Sequence, residues 1–176
     1  LLNRKTSVYA SLQHILVYPH TFMPAHDTHQ PDGTMNTVSR GLLGESWQNG
    51  KVILSWDDVE AGVSDFQNGH NVVLHEFAHQ LDTESGSANG APVLRQNSYP
   101  VWAKVLAHDF AALSDAAQRH QHSAMDHYGA TNPAEFFAVA TETFFEKPAQ
   151  LQQHQPELFA ELKKYYGVDP GLWQQN

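Results

Sequence analysis

The chain has 176 residues, of which 41% are apolar and 16% charged, and it carries a formal net charge of −9. That length suits one domain with a core of ordinary size, and an acidic balance with no Lys/Arg cluster argues against direct binding to nucleic acid or to an anionic membrane surface. Cysteine is absent, which excludes disulfides and thiolate metal sites and leaves His, Asp and Glu to hold any metal.

The opening Leu1-Leu2, where Met would stand in an intact product, reads as a trimmed or partial chain. No apolar run approaches the roughly 20 residues of a membrane-spanning helix, and the N-terminus does not resemble a secretory signal; a cytoplasmic protein is expected. His14–Tyr18 is a short β-rich run stopped by Pro19. Residues 21–36, rich in Pro, Gly, Asp and Thr, read as an irregular loop. Lys51–Trp56 is a second strand, entered through the turn signal Asn49-Gly50, with Ser46-Trp47 as a candidate hairpin partner.

Helices dominate the remainder. Val72, Val73, Leu74, Phe77, Ala78 and Leu81 recur at three- and four-residue spacings and predict an amphipathic helix from about Gly69 to Asp82. The polar stretch Thr83–Gly90 ends it. Pro100 opens a longer helix that fades near Gln118. Asn132-Pro133 starts another, with Asn suited to the N-cap and Pro to the first helical position. That helix carries Phe136, Phe137, Val139, Ala140, Phe144 and Phe145 before Pro148. A last helix runs from Pro156 to about Tyr166 and stops at Gly167.

His75-Glu76-Phe77-Ala78-His79 has the pattern HExxH and lies inside the first of these helices. Four residues turn a helix through about 400°, so the two imidazoles project about 40° apart, one turn above the other. Two imidazoles so placed can bind one zinc ion from the same side. Glu76 is adjacent, positioned to act as general base on a water that zinc has made acidic. The pattern is short enough to arise by chance, and its helical context is what raises it above a polar face with two solvated histidines.

A catalytic zinc requires a third protein ligand and an open position. Glu135 and Glu142 are the main candidates. Seven residues apart, they share a helix face but stand about 10 Å apart along its axis, so only one can reach a given ion. Glu135 has a bland alternative as the N3 member of a capping box with Asn132, and spacing does not choose between the two. His120, His122 and His127 form a further His cluster, in a polar stretch with no regular ligand geometry.

His75-Glu-Phe-Ala-His-Gln-Leu-Asp82, together with Tyr128-Gly-Ala-Thr-Asn-Pro-Ala-Glu-Phe-Phe137, resembles the Mlc titration factor A family of bacterial peptidases. Gly44–Trp47, Val52–Asp58 and Pro156–Phe159 add to the likeness, which extends from about Val17 to Pro170. The Tyr-x6-Glu-Phe-Phe spacing is also similar to the catalytic domain of anthrax lethal factor, a zinc protease of the same broad class. The resemblance implies an α+β, zincin-like metallopeptidase domain, with a small N-terminal sheet followed by the active-site helix and C-terminal helices. Residues 1–176 would form one such domain, lacking an N-terminal segment that family members usually carry. By motif position the resemblance makes Glu135 the third ligand of one zinc ion beside His75 and His79. Tyr128 becomes a donor to the oxyanion of the tetrahedral intermediate, and Glu142 becomes a carboxylate that orients a ligand histidine. Asp82 reads either as a similar support or as an ordinary polar residue at a helix end.

The functional expectation is therefore a zinc-dependent peptidase of aminopeptidase type acting on peptide substrates. The resemblance also implies a link to a glucose-responsive transcriptional repressor of the Mlc type. The alternative is a protein that titrates such a regulator with a structural or inactive zinc site. Lys51–Trp56, just ahead of the HExxH helix, suits the edge strand that pairs with extended substrate in such folds, or else a central strand filled by Ile53 and Leu54.

Overall fold

The computed structural model describes residues 9–20 and 50–175. Two short strands, β1 (His14–Tyr18) and β2 (Lys51–Ser55), pair in parallel, with Ile15 opposite Val52 and Val17 opposite Leu54. The candidate hairpin partner Ser46-Trp47 lies outside the described residues, as does the loop expected at 21–36. Val52 and Leu54 are buried on the face of β2 that meets the helices, whereas all five residues of β1 are exposed.

The second strand ends one residue earlier than its composition predicts, because Trp56 already begins a helix. α1 (Trp56–Ser64) is started by Ser55, whose hydroxyl accepts from the N–H of Asp58, and two acidic residues occupy its first turn. The cap and the favourable position of Asp57 and Asp58 against the helix dipole explain the switch from strand to helix at this point.

α2 (Val72–Thr83) carries the HExxH pattern. It begins three residues later than periodicity predicts: Gly69 has φ of +78° and Asn71 is extended, with its side chain accepting from the N–H of Leu74 as N-cap. α3 (Tyr99–Gln118) follows a polar loop and a single 3-10 turn at Gln96–Ser98. A second 3-10 turn, His127–Ala130, leads into α4 (Pro133–Glu146), which Asn132 caps through the N–H of Glu135. α5 (Pro148–His154) and α6 (Pro156–Tyr166) are the last α-helices among the described residues, Gly167 ends α6 at φ of +70°, and a 3-10 helix follows at Pro170–Gln175. The break between α4 and α5 falls at Lys147, the residue before Pro148, where a helical conformation is disfavoured.

α4 is the centre of the molecule. Every residue from Ala134 to Phe144 is buried, as a helix that is apolar on nearly all sides requires. Around it Trp102, Phe137 and Tyr165 form one aromatic group, with Trp102 and Tyr165 ring centroids 5.5 Å apart, and Phe144, Phe159 and Tyr166 form another. Thr141 and Thr143 satisfy their hydroxyls on the carbonyls four residues back, and Thr141 also meets the Tyr166 hydroxyl at 2.8 Å. Three carboxylates on this same helix, Glu135, Glu142 and Glu146, are also buried. A buried carboxylate is tolerated only when partnered, and the partners of all three lie on α2 or the residues just before it. The architecture is the α+β, zincin-like arrangement expected: a small sheet, then the HExxH helix, then further helices. No helix among the described residues is long and apolar enough to cross a membrane.

Candidate metal centre

His75 and His79 face α4 from one side of α2, their Nε2 atoms 3.1 Å apart. From the opposite side the Glu135 carboxylate reaches both, with Oε2 at 3.0 Å from His75 Nε2 and 3.4 Å from His79 Nε2. These three side chains form the group of potential metal ligands among the described residues. Their edge lengths test the fit. A tetrahedral ion with bonds of about 2.0–2.1 Å spaces its ligands about 3.3–3.4 Å apart, close to the triangle these atoms form. Two imidazole nitrogens with one carboxylate oxygen is a donor set that zinc accepts. The fourth direction is not supplied by any of these residues.

Glu142, two turns farther along α4, does something different. Its Oε1 lies 2.6 Å from His75 Nδ1, and its Oε2 accepts from the backbone N–H of Asn71 at 2.6 Å. In the neutral imidazole, with Nδ1–H donating to Glu142, the lone pair of His75 lies on Nε2, turned toward Glu135 and His79. Glu146 continues the row: it accepts from the N–H of Gly69 at 2.8 Å and from Asn71 Nδ2 at 3.0 Å. Three carboxylates on one face of α4 thus grip the start of α2. Burial raises the pKa of Glu146, with its hydrogen bonds opposing the shift.

The electrostatics follow from this packing. Burial works against a charged His75, but the hydrogen bonds to Glu135 and Glu142 outweigh it and push the pKa up to about 10. His79 is shifted downward, first by burial and then by the neighbouring His75 charge, with Glu135 opposing. Burial alone would raise Glu135, yet its contacts with the two histidines bring it down to about 2. An ionised carboxylate set against two imidazole nitrogens is a donor set that suits a cation.

Glu76 is 1% exposed and lies next to His75, where its charge adds to the upward shift of that imidazole. Tyr128 sits on the 3-10 turn between α3 and α4, its ring centroid 5.9 Å from that of His75. The turn is held by Asp126, whose carboxylate accepts from the Tyr128 N–H at 2.6 Å. Gly129 presses it onto α3 and α4, since a Cβ there would come within 3.0 Å of Leu113 and 3.2 Å of Val139. Tyr128 therefore borders the same cluster. The Glu135 carboxylate is turned to the imidazoles while its backbone N–H takes the Asn132 cap, so only one half of the capping box that stood as the alternative for Glu135 forms. Asp82, wholly buried at the end of α2, accepts from the N–H of Gly90 at 2.7 Å, and burial drives its pKa up to about 6 against the opposing amides of residues 89–91. His120, His122 and His127 do not converge as a ligand group.

Asn71 and Glu146 are not among the residues that sequence reasoning singles out. An Asn three residues before Leu74, ahead of an apolar periodic run, is the available signal for the cap. Nothing local signals that Glu146 reaches back to it.

A sequence profile described as glucose-regulated metallo-peptidase M90 matches residues 1–167. The chain is also similar to slr2042, an uncharacterized protein of Synechocystis sp., at 43% identity over 165 residues, covering 92% of this chain and 60% of that protein. The Mlc titration factor A of Yersinia pseudotuberculosis is 33% identical over 159 residues, covering 89% of this chain and 58% of that protein. The chain thus spans about three fifths of the length of these relatives.

Proposed function

The chain belongs to the glucose-regulated metallo-peptidase M90 family, and from that footing we propose that it is a zinc-dependent peptidase whose ion is held by His75, His79 and Glu135, with Glu76 as general base. The observation that carries this reading is the triangle of Nε2, Nε2 and Oε2 atoms with edges of 3.0, 3.1 and 3.4 Å. Zinc bound there supplies Lewis acidity toward water and toward a peptide carbonyl near neutral pH.

The chain's own residues divide the remaining work. Glu76 takes a proton from the attacking water as the water oxygen bonds to the scissile carbonyl carbon. It then returns that proton to the amine nitrogen as the C–N bond breaks. Its near-complete burial keeps bulk water from competing for the transfer. Tyr128 donates its phenolic hydrogen to the oxyanion of the tetrahedral intermediate. Glu142 holds His75 in the tautomer and orientation that direct Nε2 inward. The edge of β2 that β1 does not pair with, which no other strand takes up among the described residues, receives extended peptide in the manner of an added strand. We read the action as aminopeptidase-type, in one cytoplasmic domain, on the strength of the family resemblance.

Replacing Glu76 by Gln tests the mechanism, because the amide keeps the shape and removes the base. Hydrolysis of peptide substrates is expected to vanish while one zinc per chain is retained. A Gln variant with full peptidase activity refutes the assignment. The name of the Yersinia relative supports a second reading, in which the chain titrates an Mlc-type repressor. Glu76→Gln tests that reading too: repressor capture unchanged in the inactive variant would separate that role from hydrolysis.

A further inference from the structure

The two helices that bear the ligand residues are joined at a point outside the ligand cluster. Asp82 lies in the last turn of α2, three residues beyond His79, and is fully buried. Its Oδ2 accepts from the N–H of Gly90 at 2.7 Å. The carbonyl of the same Gly90 accepts from Trp102 Nε1 on α3 at 2.8 Å. Gly90 has φ of +77°, and a Cβ added there would lie 2.5 Å from the carbonyl oxygen of Pro133 and 3.1 Å from its carbonyl carbon. Pro133 is the first residue of α4, two before Glu135. The backbone of Gly90 is therefore pinned to α2 and α3 by hydrogen bonds and pressed against the first turn of α4 by direct contact.

We propose that Asp82 and Gly90 are positioning residues for the metal centre: together they set how far Glu135 stands from the His75–His79 pair. This inference rests on the three-ligand reading above. Its physical basis is that Glu135 sits in the first turn of its helix, where fewer intrahelical hydrogen bonds restrain the backbone. A neighbour in rigid contact two residues upstream then decides where the carboxylate goes. Gly is required at 90 for two reasons at once, the left-handed conformation and the missing space for a side chain. Asp82 keeps the loop from lifting away, since it supplies the acceptor that anchors the Gly90 N–H inside the protein.

The test compares two glycines of one loop. Gly86 has φ of +101° with nothing within 4 Å of an added Cβ, so Gly86→Ala imposes a similar conformational strain without the contact. Zinc affinity is measured by competition with a chromophoric chelator, and coordination by the visible spectrum of the cobalt(II)-loaded protein. Folding of each variant is checked by circular dichroism. Gly90→Ala is expected to weaken zinc binding by about tenfold to a hundredfold, the range seen when support of a ligand is lost, and to alter the cobalt bands. Gly86→Ala should stay within twofold of wild type with an unchanged spectrum.

Asp82→Ala should weaken zinc binding in the same sense, and Asp82→Asn, which keeps an acceptor oxygen, should recover most of the loss. Equal weakening by both Gly→Ala variants, or wild-type affinity and spectrum in Gly90→Ala, overturns the proposal. Should Gly90→Ala fail to fold, the Asp82→Ala and Asp82→Asn pair decides alone, and equal affinity of those two overturns it. Failure of the underlying three-ligand reading shows itself separately, as zinc binding in Glu135→Ala that matches wild type.

Discussion

Replacing Glu142 by Ala distinguishes a carboxylate that supports the site from one that binds metal. In the wild type this side chain is the acceptor for two buried donors, His75 Nδ1–H and the N–H of Asn71, each at 2.6 Å. Its loss frees the His75 tautomer and orientation and lowers the basicity of Nε2. Zinc affinity should fall by about 10–100-fold, or roughly 1.4–2.7 kcal/mol. The stranded Asn71 N–H costs about a further 1–3 kcal/mol of folding stability, which lowers the melting temperature of the metal-free protein by roughly 2–12 °C at this chain length. Glu135→Ala removes the third ligand proposed above, and its loss of affinity should exceed that of Glu142→Ala by a wide margin. Chelator competition and thermal melts in EDTA measure both quantities. Glu142→Gln retains an acceptor for Nδ1–H and should recover part of the affinity. If Glu142→Ala abolishes binding while Glu135→Ala binds normally, the third ligand is Glu142 and the two carboxylates exchange roles. If Glu142→Ala binds within twofold of wild type, the tautomer and orientation of His75 do not govern affinity.

The titration of the cluster predicts a pH dependence for the metal-free protein. The pKa of His75 is raised from an unfolded value of 6.5 to about 10, so its contribution to stability is complete below pH 6.5 and is lost as pH rises through 10. That of Glu135 is lowered from 4.5 to about 2, so its contribution is complete above pH 4.5 and is lost as pH falls through 2. Urea titrations in EDTA should therefore show stability falling on the alkaline side, and Glu142→Ala should reduce the size of that fall; an identical alkaline limb in the variant would refute this origin. In the core, Phe144 is fully buried among Phe145, Phe159 and Tyr166. Phe144→Ala should cost about 3–5 kcal/mol in denaturant unfolding, with zinc affinity of the folded protein within twofold of wild type; a tenfold change would mean that this aromatic group also sets the metal site.

What the sequence determined by itself is what depends on short-range geometry. The two histidines share a helix face because residues four apart do so in any α-helix, and the amphipathic spacing of Val72 to Leu81 makes that helix legible. The Asn132-Pro133 start of α4 and the Gly167 stop of α6 are readable for the same reason, since caps are local chemistry. α1 escapes the reading because its first residue, Trp56, continues the β-rich run of Lys51–Ser55 and only nine residues follow the switch, although Ser55 three residues before Asp58 is a cap pattern. α5 escapes it because Pro148, which ends one helix, also begins the next.

The tertiary structure decided everything that depends on the offset between helices. Glu135 and Glu142 lie two turns apart on one face, so helical periodicity treats them alike. Only the axial offset of α4 against α2 brings one to the Nε2 atoms and the other to Nδ1 of His75. That offset is held by contacts between residues far apart in the chain, Glu146 with Asn71 and Gly90 with Pro133. The parallel pairing of β1 with β2 is non-local in the same way. Local sequence specifies which side chains a helix presents and on which face. How far one helix slides along another depends on the sum of many small packing and hydrogen-bond terms across the interface, which no single segment contains.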